Sequence, residues 1–208
     1  YQLIHVYKLV SILKKNNIAI DGSNTGTGKT YSAIATCKQL NLKPFIICPK
    51  TIVSNWKSVC KYFNVTPYSV VNYETIRLCK EYKNEKRVDS KHIKYNNNEF
   101  TWHLPNNVML IFDEVHKCKN KKSLNGKMLL AVKKVKHTLL LSATIADKIE
   151  SFHIYGYLLG LYKSIRQANN WIKGILREDK SAKRKISTIY NKIYPYHGSR
   201  MLIGELGD

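Results

Sequence analysis

Acidic residues are scarce in this sequence. The 208 residues include 14 Asp and Glu against 35 Lys and Arg, which gives a formal net charge of +21. Such an excess of positive charge predicts a polyanionic partner, for which nucleic acid is the leading candidate. A second interpretation stays open, because 29 of the 35 basic residues are Lys. Lys, Asn, Ile and Tyr are all encoded by A/T-rich codons, so part of the charge can reflect genome composition.

Long apolar runs and paired cysteines are also missing. No apolar run reaches the roughly 18 residues that a membrane-spanning helix requires, and no signal peptide is visible. We therefore expect no membrane partner, while upstream targeting stays open because the sequence starts at Tyr1 without Met. The expectation of an intracellular protein comes from the cysteines. The five cysteines, at positions 37, 48, 60, 79 and 118, include no Cys-x-x-Cys pair. This pattern disfavours a structural zinc site and favours reduced, mostly buried thiols.

Apolar runs alternate with segments of helical periodicity, which predicts an α/β fold with a mainly parallel central sheet flanked by helices. Most of the apolar runs are nearly continuous, as in strands that are covered on both faces. The predicted strands are 18–21, 45–48, 69–72, 108–112 and 138–142. The predicted helices are 3–14, 29–40, 51–63, 73–82, 123–135 and 148–161.

Two regions fall outside this alternation. The polar stretch 83–107 is predicted to be a surface insertion, because its length exceeds the usual connection between elements. Beyond residue 162 we expect a C-terminal helical extension, with basic helical segments at 165–177 and 181–193. The Gly-containing end, 194–208, is predicted to be extended.

A glycine-rich loop follows the first predicted strand and precedes a helix. Strand, loop, Lys-Thr and helix form the arrangement that holds nucleotide phosphates. Gly26 and Gly28 let the backbone turn its N–H groups inward, and the helix adds its positive end. Lys29 supplies a charge for the phosphates and Thr30 a hydroxyl for Mg²⁺. The predicted nucleotide-binding residues of the loop are Ser23, Asn24, Thr25, Gly26, Thr27, Gly28, Lys29 and Thr30.

The loop departs from the general phosphate-binding pattern at one position, where Ser23 stands in place of glycine. A loop that binds nothing is the alternative, and the residues downstream disfavour it. GTP is also disfavoured as the nucleotide, because no Asn-Lys-x-Asp guanine-reading motif occurs. The Asp-Glu pair described next, together with the charge, disfavours a small-molecule kinase.

Two adjacent carboxylates, Asp113 and Glu114, end the apolar strand predicted at 108–112. At the carboxyl end of a strand beside a phosphate loop, Asp113 can hold Mg²⁺ and Glu114 can orient or deprotonate the attacking water. A strand that simply ends in solvent is the alternative, and the upstream loop makes catalysis the stronger interpretation. Lys29, Asp113 and Glu114 are therefore the predicted catalytic residues.

A third strand ends in small hydroxyl residues, Ser142 and Thr144. Taken alone, this segment is best interpreted as the cap of a following helix. Its interest comes from the edge of the sheet that it shares with the loop and the carboxylates.

Taken together, these segments resemble the first RecA-like lobe of superfamily 2 helicases and translocases. Residues 23–30 resemble motif I, residues 113–116 resemble the DExH form of motif II, and residues 142–144 resemble motif III. The resemblance implies ATP and Mg²⁺ as cofactors, with Thr30 and Asp113 at the metal. It also implies that Gln2 contacts adenine and that His116, Ser142 and Thr144 couple the nucleotide site to nucleic acid.

The resemblance narrows to the SWI/SNF-like branch through the segment from Pro49 to Trp56 and through residues 70–77. It implies that Lys50, Thr51, Asn72 and Tyr73 face nucleic acid, while for Trp56 burial is favoured over contact with a base. This branch implies ATP-driven movement along nucleic acid, with duplex DNA favoured. An RNA or single-strand helicase and a non-catalytic nucleic-acid-binding scaffold stay open as alternatives.

The resemblance divides the chain into an ATP-binding domain at 1–161 and a basic helical extension at 162–208. It also implies a second RecA-like lobe outside this chain, because no counterpart of motifs IV to VI or of their arginine finger is present. The closing residues 197–208 resemble helicases of large cytoplasmic DNA viruses. The expected location is the nucleus, or the cytoplasm or virion for a viral protein.

Overall fold

The computed structural model describes residues 1–84, 86–145, 152–177 and 182–205. Ten strands occur in this part of the chain: β1 (Ile18–Asp21), β2 (Lys43–Cys48), β3 (Ser69–Asn72), β4 (Lys80–Lys83), β5 (Lys86–Asp89), β6 (Ile93–Asn96), β7 (Glu99–Trp102), β8 (Val108–Asp113), β9 (Thr138–Leu141) and β10 (Gly198–Ser199). Six of them form a parallel sheet in the order β10-β1-β9-β8-β2-β3. The other four form two antiparallel hairpins, β4–β5 and β6–β7.

Helices cover both faces of the sheet. The α-helices are α1 (Gln2–Lys15), α2 (Lys29–Gln39), α3 (Val53–Tyr62), α4 (Tyr73–Ile76), α5 (Leu124–Leu130), α6 (Phe152–Leu158), α7 (Ala168–Leu176) and α8 (Ala182–Ile193). Alternate residues of a strand point to opposite faces, which divides the apolar core into two layers. Helices α1, α2 and α3 pack on one face. The other face is covered by α5, α6, α7, α8 and the β6–β7 hairpin.

The strand register brings three loops together at the carboxyl edge of the sheet. Leu141 at the end of β9 pairs with Asp21 at the end of β1 on one side and with Asp113 at the end of β8 on the other. The segments that begin at Gly22, Ser142 and Glu114 therefore leave the sheet side by side. This edge is where parallel α/β sheets bind their ligands.

Most of the elements predicted from the sequence are present. All five predicted strands occur within two residues of their expected bounds, and the predicted α/β fold with a mainly parallel sheet is confirmed. The helix predicted at 73–82 is wrong, because α4 ends at Ile76 and β4 begins at Lys80. Cys79 between them adopts φ +56°, which interrupts a right-handed helix. Part of the helix predicted at 148–161 lies outside the described residues.

The C-terminal segment contributes more to the sheet than the sequence predicts. Strand β10, at Gly198–Ser199, pairs with β1 and forms one edge of the central sheet. Ile189 and Ile193 of α8 are fully buried against the same core. The division of the chain at residue 161 stays a prediction.

Within the described residues, every helix lacks the length and apolar character needed for a bilayer crossing.

Candidate active site

The loop between β1 and α2 has the backbone of a phosphate cradle. Gly26 and Gly28 adopt φ +84° and +87°, values that residues with a Cβ rarely take. A methyl group on Gly26 would meet open space, so its backbone conformation rather than crowding requires glycine there. Gly28 precedes the first residue of α2, which places the unpaired N–H groups of the helix at the loop.

The side chain of Lys29 lies against the backbone of this loop. Its ammonium group donates hydrogen bonds to the carbonyl oxygens of Ser23, at 2.9 Å, and Asn24, at 3.0 Å. Gln2 on α1 donates from its side-chain amide to the carbonyl oxygen of Thr27 at 3.1 Å. The structure therefore brings Gln2, at the start of the chain, to the same loop as Lys29.

Ser23 is part of a buried polar network beneath the loop. Its backbone N–H donates to the Asp21 carboxylate at 3.0 Å, and its hydroxyl donates to the same oxygen and accepts from the Met201 N–H at 2.8 Å. His5 on α1 lies 2.9 Å from the other Asp21 oxygen and 2.9 Å from the Ser199 hydroxyl. Because its hydroxyl is occupied in this way, Ser23 supports the loop from below.

The motif pattern of the sequence does not predict the other members of this network. The usable signal was His5, which falls on the helical face that also carries Leu9 and Ile12. A polar side chain on a buried face requires a buried partner. Asp21, directly after an apolar strand, is that partner, whereas no sequence pattern connects either residue to Ser199.

Asp113 lies at the end of β8 with both carboxylate oxygens occupied. The indole N–H of Trp56 donates to one oxygen at 2.8 Å, and the backbone N–H of Glu114 donates to the other at 2.9 Å. Burial raises the pKa of Asp113 above its usual value of 3.8, and the negative charge of Glu114 adds to this shift. The two hydrogen bonds and the positive charge of Lys29 lower the pKa and partly offset the shift.

Trp56 is fully buried, as the sequence analysis favoured. The hydrogen bond from its indole to Asp113 makes it part of the site, a role that the motif pattern does not predict.

Glu114 is held in an uncommon backbone conformation at the carboxyl edge. Its φ of +52° is left-handed, a conformation that costs free energy in a residue with a Cβ. The carboxylate is partly exposed and lies 3.1 Å from Nδ1 of His116. The turn therefore places the Glu114 carboxylate beside His116. The partly exposed Glu114 and the buried Asp113 thus occupy different surroundings.

The predicted coupling residues are in contact. Nδ1 of His116 lies 3.2 Å from the Ser142 hydroxyl, and that hydroxyl accepts the backbone N–H of Thr144 at 3.1 Å. The chain of contacts runs from Glu114 through His116 to the segment after β9. The structure thus connects the motif II and motif III segments directly.

The predicted nucleic-acid-facing residues divide into two pairs. Lys50 and Thr51 are exposed beside the carboxyl end of β2. Asn72 and Tyr73 are 4% and 1% exposed. The Asn72 side chain caps α4 through the Thr75 N–H at 2.9 Å, and the Tyr73 hydroxyl donates to the Asp113 carbonyl oxygen at 2.7 Å. The prediction that these two side chains face nucleic acid is wrong, because both are spent on contacts inside the protein.

The fold and the site together define a class. A parallel sheet with a phosphate loop after β1, an Asp-Glu pair after β8 and Ser142 after β9 is a RecA-like P-loop lobe of the superfamily 2 helicase type. The family model described as "Type III restriction enzyme, res subunit" matches residues 1–147, and the chain belongs to this family.

A curated relative and two solved structures are similar to the chain. A protein of Acanthamoeba polyphaga mimivirus, provisionally named as an ATP-dependent RNA helicase, is 36% identical over the whole of this chain. The Sulfolobus solfataricus SWI2/SNF2 ATPase core in complex with dsDNA matches 97% of this chain with a TM-score of 0.66 at 18% identity. The structure of the Sulfolobus solfataricus SWI2/SNF2 ATPase core domain matches 97% of this chain with a TM-score of 0.58 at 15% identity.

These matches bear on two expectations. The solved structures support the assignment of the fold, and the mimivirus relative supports the expected resemblance to viral helicases. The chain spans 44% of the mimivirus relative and 44% and 42% of the two solved chains. Less than half of each similar protein is therefore represented here.

Proposed function

We propose that this chain is the ATP-binding lobe of a translocase that hydrolyses ATP and moves along nucleic acid, with duplex DNA as its track. One observation carries the proposal. At one edge of a parallel sheet, the phosphate loop with Lys29, the Asp113-Glu114 pair and the His116–Ser142 contact lie on adjoining strands. This arrangement combines a nucleotide site with a connection that can report its state.

ATP and Mg²⁺ fit the residues present. The left-handed glycines keep side chains out of the loop, and Lys29 lies where it can exchange loop carbonyl oxygens for phosphate oxygens. Among the described residues, no cluster of three His, Cys, Asp or Glu could hold a metal alone. Mg²⁺ in nucleotide sites takes one or two protein ligands together with phosphate oxygens and water, so Thr30 and Asp113 suffice. When bound, Mg²⁺ neutralises charge that develops on the phosphates.

The two carboxylates take different roles. Asp113, buried and fixed by two donors, is suited to a stationary ligand position. Glu114, partly exposed beside His116, is suited to orient the attacking water and accept its proton. His116, Ser142 and Thr144 then pass the state of the site to the nucleic-acid face, where Lys50 and Thr51 lie. Gln2, beside the loop, is suited to contact adenine.

A second RecA-like lobe completes the site in this proposal. The chain spans less than half of its similar proteins, and it contains no arginine-bearing final motif. An arginine finger contributes about 10³–10⁵ in rate in related phosphoryl-transfer enzymes. We therefore expect the chain alone to bind ATP and to hydrolyse it slowly.

Duplex DNA and RNA are the two candidate tracks. Duplex DNA is supported by the solved SWI2/SNF2 core, which was bound to dsDNA, and by the Pro49–Trp56 segment typical of that branch. RNA is supported by the name of the mimivirus relative. Both tracks agree with the charge of +21. ATPase stimulation of the two-lobed polypeptide by matched DNA and RNA duplexes distinguishes them.

Isothermal titration of ATP with Mg²⁺ into the chain tests the assignment of the site. Lys29→Ala is expected to weaken binding about 100-fold, or about 2.7 kcal/mol, because it removes a charge-assisted contact with phosphate. Glu114→Gln is expected to leave binding within a few-fold, and in an ATPase assay of the two-lobed polypeptide to lower turnover by about 10²–10⁴. Glu74→Gln, an exposed carboxylate on α4, is the matched control and should change neither.

Two results would contradict parts of this proposal. Equal ATP affinity of the Lys29→Ala variant and the parent chain would remove the nucleotide site from residues 23–30. Rapid DNA-stimulated turnover by the chain alone, abolished by Glu114→Gln, would contradict the requirement for a second lobe.

A further inference from the structure

The β4–β5 hairpin is an exposed element that the ATPase chemistry does not use. It occupies Lys80–Lys83 and Lys86–Asp89, and all four residues of β5 are exposed. A two-stranded hairpin that buries little is marginally stable on its own. A contact with a partner would therefore stabilise this hairpin.

The hairpin is held against α4 by a contact of Tyr82. The Tyr82 hydroxyl lies 3.3 Å from the Thr75 hydroxyl on α4, at the carboxyl end of β3. Hydrogen bonds from Thr75 and Asn72 lower the pKa of Tyr82, and the positive charges of Arg87 and Lys50 lower it further. Asn72 at the end of β3 pairs with Cys48, two residues before Lys50. The hairpin therefore lies at the carboxyl edge of the sheet, where the proposed function places nucleic acid.

The charges of the hairpin are unevenly matched. Lys80 pairs with Asp89 at 3.0 Å. Lys83 and Lys86 stand directly opposite each other in the antiparallel register, and Arg87 is opposite Tyr82. Like charges in directly opposed positions destabilise a hairpin. Among the residues described by the structure, none forms an ion pair with Lys83, Lys86 or Arg87. Glu85 lies outside the described residues.

A cavity extends this basic surface towards the second hairpin. It has a volume of about 520 Å³, and its lining includes Arg77, Leu78, Lys94 and Tyr95. Asp89 also lines it, and its carboxylate pairs with Lys80. Leu78 is 52% exposed and Tyr95 is 37% exposed. Cations beside exposed apolar and aromatic side chains are typical of surfaces that hold a sugar–phosphate backbone and its bases.

We propose that the β4–β5 hairpin, through Lys83, Lys86 and Arg87, binds the phosphate backbone of the nucleic-acid track and extends the surface that begins at Lys50. This inference rests on the proposed function, because it names the element that enlarges the contact with the track. Phosphate groups of the backbone neutralise the opposed Lys83–Lys86 pair, which supplies the stabilisation that the bare hairpin lacks.

The salt dependence of binding tests the hairpin. Affinity of the chain for a 20-base-pair DNA duplex is measured between 50 and 300 mM salt for the parent and for the triple variant Lys83→Ala, Lys86→Ala, Arg87→Ala. Each phosphate contact adds about 0.9 to the log–log salt slope on duplex DNA. The hairpin variant is therefore expected to bind more weakly with a slope lower by about 2.7. On single-stranded DNA the expected reduction is about 2, because each contact contributes about 0.7.

The control variant carries the same charge change at the opposite edge of the sheet. Lys15, Lys43 and Lys136 are exposed beside the amino ends of β1, β2 and β9. Their triple alanine variant is expected to keep the parental slope within about 0.5, less than one phosphate contact contributes. Equal slope reductions in the hairpin and control variants would overturn the proposal, because the effect would then be that of net charge. The same series on RNA duplex identifies which polymer the backbone contact favours.

Amide hydrogen exchange supplies a readout that needs no variant. Addition of duplex is expected to slow exchange at Lys80–Lys83 and Lys86–Asp89 more than at β10. Unchanged exchange in the hairpin, with binding intact, would overturn the hairpin proposal and leave the proposed function standing. A parent chain that binds neither DNA nor RNA at 50 mM salt would overturn both.

Discussion

At the scale of single residues, Trp56 gives the site a property that the motif pattern does not express. Its indole N–H and the Glu114 N–H occupy the two oxygens of Asp113 from within the protein. The carboxylate is thus oriented before any ligand arrives. In the proposed Mg²⁺ site, a carboxylate that is preorganised in this way loses less conformational freedom on binding.

The phenylalanine variant of Trp56 should destabilise the protein in a pH-dependent manner. The pKa of Asp113 in the folded state lies above its usual value of 3.8. Between these two pKa values the folded state binds more protons than the unfolded state, so the free energy of unfolding falls as the pH rises. The indole hydrogen bond stabilises the ionised carboxylate, so its loss raises the folded-state pKa and widens this pH interval upward. We expect Trp56→Phe to cost about 1–3 kcal/mol at pH 8 and less at pH 4.5, measured by urea unfolding.

Trp102→Phe is the matched control for this measurement. The Trp102 indole donates to the carbonyl oxygen of Met128 at 3.2 Å, a group that does not titrate in this range. Its loss should cost the same amount at both pH values. A Trp56→Phe cost that is equally independent of pH would show that Asp113 does not gain from the indole.

The sequence predicts the positions of three site residues, whose catalytic roles stay a proposal. Lys29, Asp113 and Glu114 follow apolar strands or a glycine turn, so their place at the sheet edge could be derived. Asn72 and Tyr73 could not be assigned correctly, because a polar cap and a buried hydroxyl look like exposed polar residues in sequence. Only the tertiary contacts with Thr75 and Asp113 separate the two cases.

At the scale of elements, β10 has an influence out of proportion to its length. It has two residues, yet it closes one edge of the sheet and precedes the segment that contacts the phosphate loop. Gly198 makes this pairing possible, since a methyl group there would lie 2.6 Å from the carbonyl oxygen of Ile20. The strand can approach β1 only because this position lacks a side chain.

Alanine at Gly198 should therefore displace β10 and loosen the phosphate loop. We expect Gly198→Ala to lower the free energy of unfolding by about 1–3 kcal/mol, as overpacking does in well-packed interiors. We also expect weaker ATP binding, because Met201 and Ser23 would separate. Urea unfolding and ATP titration of the same preparation measure the two effects.

Gly204 offers a control in the same segment. A methyl group there would meet no atom within 4 Å. Gly204→Ala should leave both stability and ATP affinity near the parental values. If Gly198→Ala lowered stability but left ATP affinity unchanged, the loop would not depend on β10.

The elements differ in how far their local sequence, rather than contacts with distant residues, determines their stability. The central strands are continuous apolar runs, so their pattern alone predicts them. The β4–β5 hairpin has few apolar residues and depends on cross-strand pairs and on Asn84 at φ +48° in its turn. Strand β10 depends entirely on β1, which lies about 180 residues earlier in the chain. Neither element could be derived from periodicity.

At the scale of the whole molecule, the five cysteines report on opening of the core. Cys37, Cys48, Cys60 and Cys118 are buried and Cys79 is half-buried. Burial raises the pKa of Cys48 to about 12 and that of Cys60 to about 11, which suppresses the reactive thiolate. Burial and the negative charge of Asp89 also raise the pKa of Cys79, so its partial exposure is what distinguishes it. At pH 8 we expect one thiol to react with a disulfide reagent in the folded protein, ahead of the four that react only on unfolding, followed by absorbance.

Cys79→Ser identifies the reactive thiol. The variant should lose the fast phase and keep the slow one. A second fast thiol in the parent would show that one of the two core layers opens without global unfolding. Because Cys79 lines the cavity beside the β4–β5 hairpin, bound duplex should slow its reaction.

The contact between Ser23 and Met201 also sets an order of events during synthesis. The two residues are 178 positions apart, so the phosphate loop leaves the ribosome long before its supporting partner exists. At about 5–20 residues per second, the interval is roughly 9 to 36 s. During this time the nascent chain carries an unfinished nucleotide pocket. The phosphate loop therefore gains this support only after β10 and Met201 have been synthesised and have joined the sheet.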